Sequence, residues 1–357
     1  MLNTPPFRIK GRKTLLLADG EFPTAKAKTA VCFIRYREKD AAVVLDRGNA
    51  GKTVFDTLGI GRNIPIVATV EEAKAFHPEI AIVGVAPRGG HLDDIFREQI
   101  LECIDAGMDI ISGLHVFLED DKEIREALSK SGSQIWDVRR VSEEGTIASG
   151  NGCTTGARSV LTVGTDCGVG KMTVTYELYM EAVRRGLNVS WAATGQTGMI
   201  LRERGIAIDR VISDFIGGAT EALVNLEGVG KDVVLVEGQG ALIHPGYAGV
   251  TLGLMFGAMP DCMVLVHDVE RDKVREYNVE IPPLSEVIRL HQLVMAPLKD
   301  VPFAGVALNT SCLGEEEARD MIRTVEKETG LPAGDMVRFG AGEVVDGIVE
   351  CLTKKGR

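Results

Sequence analysis

The sequence lacks several features that would point to particular classes of protein. No uninterrupted apolar stretch approaches the roughly 20 residues that a membrane-spanning helix needs. The start of the chain carries charges and prolines and no apolar core of signal-peptide length. The seven cysteines include no C-x-x-C pair, which is typical of reduced thiols and not of a disulfide framework or a zinc site. We therefore expect a cytoplasmic protein with no membrane partner and no bound metal.

Basic residues are also outnumbered. The chain has 40 Lys and Arg against 51 Asp and Glu, a formal net charge of −11. Nucleic acids and anionic membranes need clustered Lys and Arg, so the charge argues against both and favours a small-molecule partner. Hydrophobic residues make up 45% of the 357 residues, enough for sizeable cores. At roughly 100–200 residues per domain, the length suggests two domains.

Strand-like apolar runs alternate with amphipathic helical segments throughout. This pattern predicts an α/β fold with mostly parallel sheets. A stretch rich in Gly, Ser and Thr, residues 142–159, separates two such series, so we predict domains at 1–150 and 151–357. The predicted strands are Thr14–Ala18, Ala41–Leu45, Ile64–Val67, Ile80–Val85, Met108–Ile111, Val160–Val163, Asn188–Ala192, Asp232–Val236, Asp261–His267 and Val301–Leu308. Predicted helices include Val70–Phe76, Leu92–Ala106, Met172–Arg185 and Leu284–Leu293.

A glycine-rich turn, GTDCGVGK, lies between a β-branched strand and a helix. Its glycines permit backbone angles that direct several N–H groups at one point. The helix N-terminus and Lys171 add positive charge, so the turn predicts a loop that binds a di- or triphosphate. The residues predicted to bind the cofactor there are Gly164, Thr165, Asp166, Gly168, Val169, Gly170, Lys171, Met172 and Thr173.

Met172 separates this loop from the ordinary phosphate-binding loop. There a Ser or Thr follows the lysine, and its hydroxyl binds Mg²⁺. A thioether cannot do this for a hard cation, and Thr173 lies ~100° further round the helix. Either other groups hold Mg²⁺, or the loop binds phosphates without phosphoryl chemistry.

Polar residues at strand ends and in nearby loops are further candidates. Glu237 ends a buried strand in VVLVEGQG and should emerge at the carboxyl edge of the sheet, where ligands bind in open α/β sheets. Asn309 ends another such strand and would suit the edge of a purine base. Asp214, beside a Gly-Gly turn, is either a general base or a solvated turn acid. His244, in a glycine-bounded loop, is either a base near neutral pH or a structural histidine.

The loop GTDCGVGK, with a longer spacing than usual, resembles dethiobiotin synthetase and its relatives among P-loop proteins. The resemblance implies a metal-binding role for Glu237 and substrate contacts for Thr194, Gln196 and Thr197 in AATGQTG. The first half resembles the CoA-binding Rossmann-like domain of succinyl-CoA synthetase in layout. That layout implies that Arg88, Gly89 and Gly90 form a backbone cradle for substrate. The alternative is that this domain only builds an interface.

Taken together, GTDCGVGKMT, GQTGMI, DFIGGATE, VEGQGALIHP and VRFG resemble a family long described as a domain of unknown function. The resemblance implies a Rossmann-like N-terminal domain and a P-loop NTPase-like C-terminal domain. Two-domain α/β enzymes of this kind commonly self-associate, so we expect a homo-oligomer. Some members have been assigned as D-glutamate N-acetyltransferases. For this sequence that implies acetyl-CoA as cofactor, with Lys171 holding phosphate or stabilising an oxyanion. The proton acceptor would be Glu237, Asp214 or His244.

Two other functions remain open. The chain could be a ligase or kinase that uses ATP with Mg²⁺ to activate a carboxylate, as dethiobiotin synthetase does. It could also be a nucleotide-binding regulator without catalysis. Met172 favours acetyl transfer over the ligase, whereas Glu237 at the end of a buried strand favours the ligase.

Overall fold

The protein is represented by a computed structural model that describes residues 2–85, 92–142 and 145–354. Its described strands form two six-stranded sheets in which every pairing between strands is parallel. The predicted α/β class is therefore confirmed. No helix among the described residues is long and apolar enough to cross a membrane.

The chain divides into two compact units. The N-terminal unit comprises residues 2–141 together with 199–207, and the C-terminal unit comprises 142–198 and 208–357. The division along the chain is therefore not a single cut, because a short segment from the second half belongs to the N-terminal unit. The predicted boundary near residue 150 did not assign residues 199–207 to the N-terminal unit.

Over its described residues, the N-terminal unit contains one sheet and five α-helices. Its strands are β1 (Thr14–Leu17), β2 (Ala41–Leu45), β3 (Ile66–Val67), β4 (Ile80–Val83), β5 (Asp109–Ser112) and β6 (Ile135–Asp137). They lie in the order β3-β2-β1-β4-β5-β6. Its helices are α1 (Lys28–Arg37), α2 (Val54–Leu58), α3 (Val70–Ala73), α4 (Asp94–Asp105) and α5 (Lys122–Ser131). The predicted helix at Val70–Phe76 is a single α-turn that continues as a 3₁₀ turn.

Helix ends in this unit follow local capping rules. Asp121 begins α5 by accepting the N–H groups of Glu123 and Ile124, and Gly132 ends it in the left-handed conformation. Asp93 caps α4 in the same way through the N–H of Phe96. The central strands β1 and β4 are buried at every position, so they read as continuous apolar runs and not as alternating ones.

The C-terminal unit also has a six-stranded parallel sheet, but its second and third strands exchange places relative to the N-terminal sheet. Its strands are β7 (Arg158–Gly164), β8 (Val189–Ala192), β9 (Val233–Val236), β10 (Cys262–Asp268), β11 (Phe303–Asn309) and β12 (Ala333–Gly334), in the order β12-β11-β10-β7-β9-β8. The remaining helices are α6 (Lys171–Arg184), α7 (Gln196–Arg202), α8 (Ile216–Gly228), α9 (Ala248–Ala258), α10 (Leu284–Met295), α11 (Glu315–Thr329) and α12 (Gly342–Lys354).

The core of this unit explains where its loops come together. One apolar cluster joins β7, β10 and β11 to α6 and α12, and includes Val160, Val264, Ala307, Leu178 and Val344. Burying a large apolar side chain fully contributes roughly 1.5–3 kcal/mol, so this cluster holds the strands in register. The strand order changes sides at β7: β8 and β9 lie on one side of β7, and β10 to β12 lie on the other. Ligands bind at such a reversal, beyond the carboxyl ends of the strands.

Candidate functional site

The glycine-rich loop runs from the end of β7 to the start of α6, as its sequence predicts. Gly170 adopts a positive φ of 106° as the residue before the helix, a conformation that side chains rarely tolerate. Lys171 opens the helix and is only 6% exposed. Its Nζ donates to the carbonyl oxygen of Asp166 at 2.8 Å, so the side chain curls back along the loop. The ammonium group and the first amides of α6 thus converge on one small region.

Asp166 anchors the loop from inside. Its side chain is fully buried, and Oδ1 accepts the N–H of Cys167 at 2.6 Å. Oδ2 accepts from Arg271 Nη1 at 2.7 Å and from the Arg275 N–H at 2.8 Å. Arg271 Nη1 also donates to the carbonyl oxygen of Cys167 at 2.6 Å. The segment after β10 therefore holds the loop in a fixed conformation.

Buried hydroxyl groups tie the loop to the neighbouring strand. Thr175 Oγ1 donates to the Lys171 carbonyl at 2.8 Å and lies 2.9 Å from Thr162 Oγ1. Thr162 Oγ1 in turn accepts the N–H of Gly238 at 3.0 Å. These bonds join β7, α6 and the chain just beyond β9. The loop lysine and Glu237, which precedes Gly238, therefore share one rigid frame.

Glu237 follows β9 directly and is 1% exposed. Its Oε2 accepts the N–H of Thr194 at 3.2 Å, and its Oε1 accepts from Gln239 Nε2 at 3.2 Å. A Cβ built on Gly198 would lie 2.1 Å from Oε2, so glycine there makes room for the carboxylate. The acid predicted at this strand end is thus enclosed by the end of β8 and the start of α7.

The three residues predicted to contact substrate lie beside this carboxylate. Thr194 follows β8, is fully buried and donates from Oγ1 to the Glu237 carbonyl at 2.7 Å. Gln196 and Thr197 begin α7 and are 6% and 7% exposed. The structure therefore brings these three residues and Glu237 to one corner of the sheet edge.

His244 lies near the loop acid Asp166. Its Nε2 is 3.9 Å from Asp166 Oδ1, and its Nδ1 accepts the N–H of Gly246 at 3.1 Å. Its ring packs on Tyr247 and Tyr277, at centroid distances of 4.6 and 5.0 Å. The bond from Gly246 fixes the tautomer, since the neutral ring must then carry its proton on Nε2. His244 as placed is a donor at Nε2.

The same tautomer bears on metal binding. Potential ligand atoms of Asp166, Cys167 and His244 all lie within 4.8 Å of one another. A metal needs a free lone pair on the imidazole, but Nδ1 is occupied by the Gly246 N–H and Nε2 carries the proton. Asp166 is also already paired with Arg271. The donor set therefore does not fit a metal ion, and the expected absence of a metal stays a prediction.

The candidate acid Asp214 and its neighbour Glu221, both in the motif DFIGGATE, have different surroundings. Asp214 is exposed on the 3₁₀ turn Ser213–Phe215 that precedes α8. Glu221, in the same motif, accepts the N–H groups of Ser149, Asn151 and Gly152. Its burial alone would raise the pKa of this carboxyl, but these hydrogen bonds lower it below its usual value. Glu221 therefore caps a turn, as expected for a structural acid.

Two polar groups lie on the β10 and β11 side of the loop. Asn309 ends β11, and its Oδ1 accepts the N–H of Ser311 at 3.2 Å. His267 Nδ1 lies 2.9 Å from the hydroxyl of Thr165 in the loop. Burial lowers the pKa of His267, so the ring is neutral near pH 7. Arg88, Gly89 and Gly90, predicted as a cradle in the first domain, lie outside the described residues.

The two arginines after β10, Arg271 and Arg275, are not predicted by any pattern in the sequence. Arg271 and Arg275 lie in an irregular segment, DVERDKVREYNVE, whose mixed charges are typical of a solvated loop. No strand-end or glycine pattern marks them. Only the fold shows that one pairs with the buried loop acid and that the other lies close to Gly168.

A phosphate-binding loop on a parallel sheet, together with a second parallel α/β unit, defines a two-domain P-loop protein. The P-loop domain described as the domain of unknown function DUF1611 matches residues 146–345. Its companion Rossmann-like domain matches residues 47–141. The chain belongs to the DUF1611 family, and the predicted Rossmann-like and P-loop domains are confirmed.

Relatives extend over most of the chain. A protein named D-glutamate N-acetyltransferase from Tritonibacter scottomollicae is 36% identical over 293 residues, covering 81% of this chain and 87% of its own. Another of that name from Pseudoalteromonas sp is 35% identical, over 77% of this chain and 82% of its own. The crystal structure of a DUF1611 family protein from Anabaena variabilis is 38% identical, with a TM-score of 0.91 over 95% of this chain and 100% of its own.

Proposed function

We propose that the chain is an N-acetyltransferase that moves the acetyl group of acetyl-CoA to the amine of D-glutamate. The observation that carries the proposal is a phosphate-binding loop with Met172 in place of the Mg²⁺-binding hydroxyl, beside the buried carboxylate of Glu237. The name shared by relatives at 36% and 35% identity supports the same reaction.

The loop suits the phosphates of coenzyme A. Lys171 and the first amides of α6 provide a cation and N–H donors in one place. A diphosphate that is only held, and not cleaved, needs no hydroxyl to position Mg²⁺. Replacement of that hydroxyl by Met172 is therefore compatible with CoA binding and is costly for phosphoryl transfer.

The order of the strands suggests how coenzyme A would be oriented along the edge of the C-terminal sheet. The loop follows β7, near the middle of the sheet, with Asn309 on the β11 side and Glu237 on the β9 side. We place the adenosine end toward β10 and β11. The pantetheine arm would then lead the acetyl group toward β9 and β8, where Thr194 and Gln196 lie. This arrangement separates the phosphate-binding groups from the reacting ones.

Glu237 is the base that the geometry supports best. The amine of D-glutamate must lose a proton as it attacks the thioester carbonyl, and a fixed carboxylate can accept it. Thr194 N–H and Gln239 Nε2 hold the Glu237 carboxylate in one orientation. His244 is less suited, because its Nδ1 already accepts the Gly246 N–H, and Asp214 is exposed on a turn.

The direct test uses acetyl-CoA and D-glutamate without ATP or Mg²⁺. We expect release of free thiol and formation of N-acetyl-D-glutamate, detected by mass spectrometry. Glu237→Gln should lower kcat on the order of 10²–10⁴-fold, since it removes a proton acceptor while keeping the shape. Glu316→Gln, the same change at an exposed position of α11, should leave the rate unchanged. No thiol release with any of a panel of amino acids would contradict the proposal.

An ATP-dependent ligase or kinase is the second candidate. It is favoured by the Glu237–Gly238 pair after a buried strand, which is also a feature of the dethiobiotin synthetase resemblance. In that case ADP would form only with Mg²⁺ and a carboxylate substrate, and thiol release would be absent. A nucleotide-binding regulator would bind ATP, lose that binding in Lys171→Ala, and form no product.

A further inference from the structure

The connection between β10 and α10 lies against the phosphate-binding loop. The N–H of Val269 donates to the carbonyl oxygen of Asn309 at 3.2 Å, so the connection starts at the sheet edge. It then reaches the loop, where Arg271 Nη1 and the N–H of Arg275 both donate to Asp166 Oδ2. Two guanidinium groups are thereby brought to the outer side of the loop.

The guanidinium groups of Arg271 and Arg275 differ in their hydrogen bonds and in their exposure. Arg271 donates to Asp166, to the Cys167 carbonyl and to the Gly168 carbonyl, and its side chain is 19% exposed. Its donors are therefore committed to holding the loop. The side chain of Arg275 is 49% exposed, and its Nε lies 3.7 Å from Glu276, a weak pairing in solvent.

Arg275 adds a second cation at the tip of the loop. Its Nη1 lies 3.9 Å from the position that a Cβ on Gly168 would take, next to Nη2 of Arg271 at 3.6 Å. Lys171 is buried at the base of the same loop. The loop therefore has one buried cation, Lys171, and a half-exposed one, Arg275, in the connection that follows β10. A single diphosphate is already served by Lys171 and the helix amides, so the outer cation suits a further phosphate on the ligand.

Coenzyme A carries such a group. Besides its diphosphate it has a phosphate on the 3′ position of the ribose, whereas ATP and 3′-dephospho-CoA have none there. A guanidinium group binds a phosphate dianion through paired N–H donors, more strongly than a neutral group can. We propose that Arg275 binds the 3′-phosphate of coenzyme A and so makes the site selective for CoA over nucleotides without that group. This inference rests on the proposed function.

The test is calorimetric titration of the full-length protein with CoA and with 3′-dephospho-CoA. The wild type should bind CoA on the order of 10- to 100-fold more tightly, the value of a charge-assisted hydrogen-bonded pair. Arg275→Gln should lose that factor for CoA and keep the wild-type affinity for 3′-dephospho-CoA. The substitution leaves the bond from the Arg275 N–H to Asp166 in place, because it belongs to the backbone.

A matched control separates a specific contact from a general loss of positive charge. Lys273→Gln removes one charge from the same connection, at a side chain that pairs with Glu280 and Asn278. It should not change the ratio of the two affinities. Equal affinity of the wild type for both ligands, or equal weakening of both by Arg275→Gln, would overturn the proposed role of Arg275. Neither outcome would contradict the proposed acetyl transfer. Failure of the wild type to bind either ligand would contradict the proposed function as well.

Discussion

Gly238 shows how the absence of one methyl group positions two functional side chains. A Cβ on Gly238 would lie 1.8 Å from the carbonyl oxygen of Thr162 and 3.1 Å from Lys171 Cδ. The carbonyl cannot retreat without disturbing β7, so the chain after Glu237 would have to move away from the loop. We expect Gly238→Ala to lower the free energy of unfolding by about 1–3 kcal/mol, measured by chemical denaturation.

Gly249→Ala is the matched control for this substitution. Gly249 lies in α9, and a Cβ there would meet nothing within 4 Å. Alanine favours the helix, so this variant should gain roughly 0.5–1 kcal/mol. Unchanged stability of Gly238→Ala would show that the chain after Glu237 tolerates displacement.

Between elements, α10 packs on the sheet through a histidine. His291 is fully buried, donates from Nδ1 to the Val287 carbonyl at 2.8 Å and meets the Phe303 ring at 6.0 Å. Burial lowers its pKa from 6.5 to about 4. A depressed pKa means that the unfolded chain binds the proton first, so stability is present above pH 6.5 and falls as the pH drops toward 4. The full loss is about 3 kcal/mol.

His291→Leu should remove this loss, as measured by denaturation at pH 7 and at pH 4 in both proteins. Asp137, whose pKa burial raises to about 6, titrates in an overlapping range with the opposite sign. It is present in both proteins and cancels in the difference. His77→Asn, at an exposed position, should keep the wild-type slope. Equal slopes in wild type and His291→Leu would mean that the buried ring is protonated without penalty.

At the scale of the whole molecule, the N-terminal unit depends on a segment from the second half of the chain. Within it, the Glu203 carboxylate accepts the N–H groups of Ile9 and Lys10 and pairs with Arg37 at 3.0 Å. Met199 and Ile206 of the same segment are at most 2% exposed. Burial of such side chains contributes about 1.5–3 kcal/mol each, a large share of a domain's net stability of roughly 5–15 kcal/mol.

A fragment ending at residue 150 should therefore melt well below the N-terminal unit in the full chain, or fail to fold. The same fragment with residues 199–207 joined through a flexible Gly/Ser linker should recover much of the difference. Calorimetric melting of both fragments would decide the matter. Equal melting temperatures would show that the returning segment adds little.

The sequence predicts the parts of this protein that depend on neighbours along the chain. The loop from Gly164 to Thr173 sits between a strand and a helix as expected, and Glu237 follows a buried strand. The two-residue strand β12 was not predicted, because so short a run has no readable periodicity. The segment Val70–Phe76 was predicted as one helix, but its second half, Lys74–Phe76, is a 3₁₀ turn.

The sequence by itself determined the α/β class and the identity of the phosphate-binding loop. It also showed that Met172 stands where an ordinary loop of this kind has its Mg²⁺-binding hydroxyl. Local rules suffice there, because strand, glycine turn and helix are contiguous. The tertiary structure alone decided which strand ends become neighbours. It placed Thr194 against Glu237, fixed the tautomer of His244 and brought Arg271 and Arg275 to the loop. These contacts join residues far apart in the chain, and they follow from strand order and side-chain packing, which no local pattern encodes.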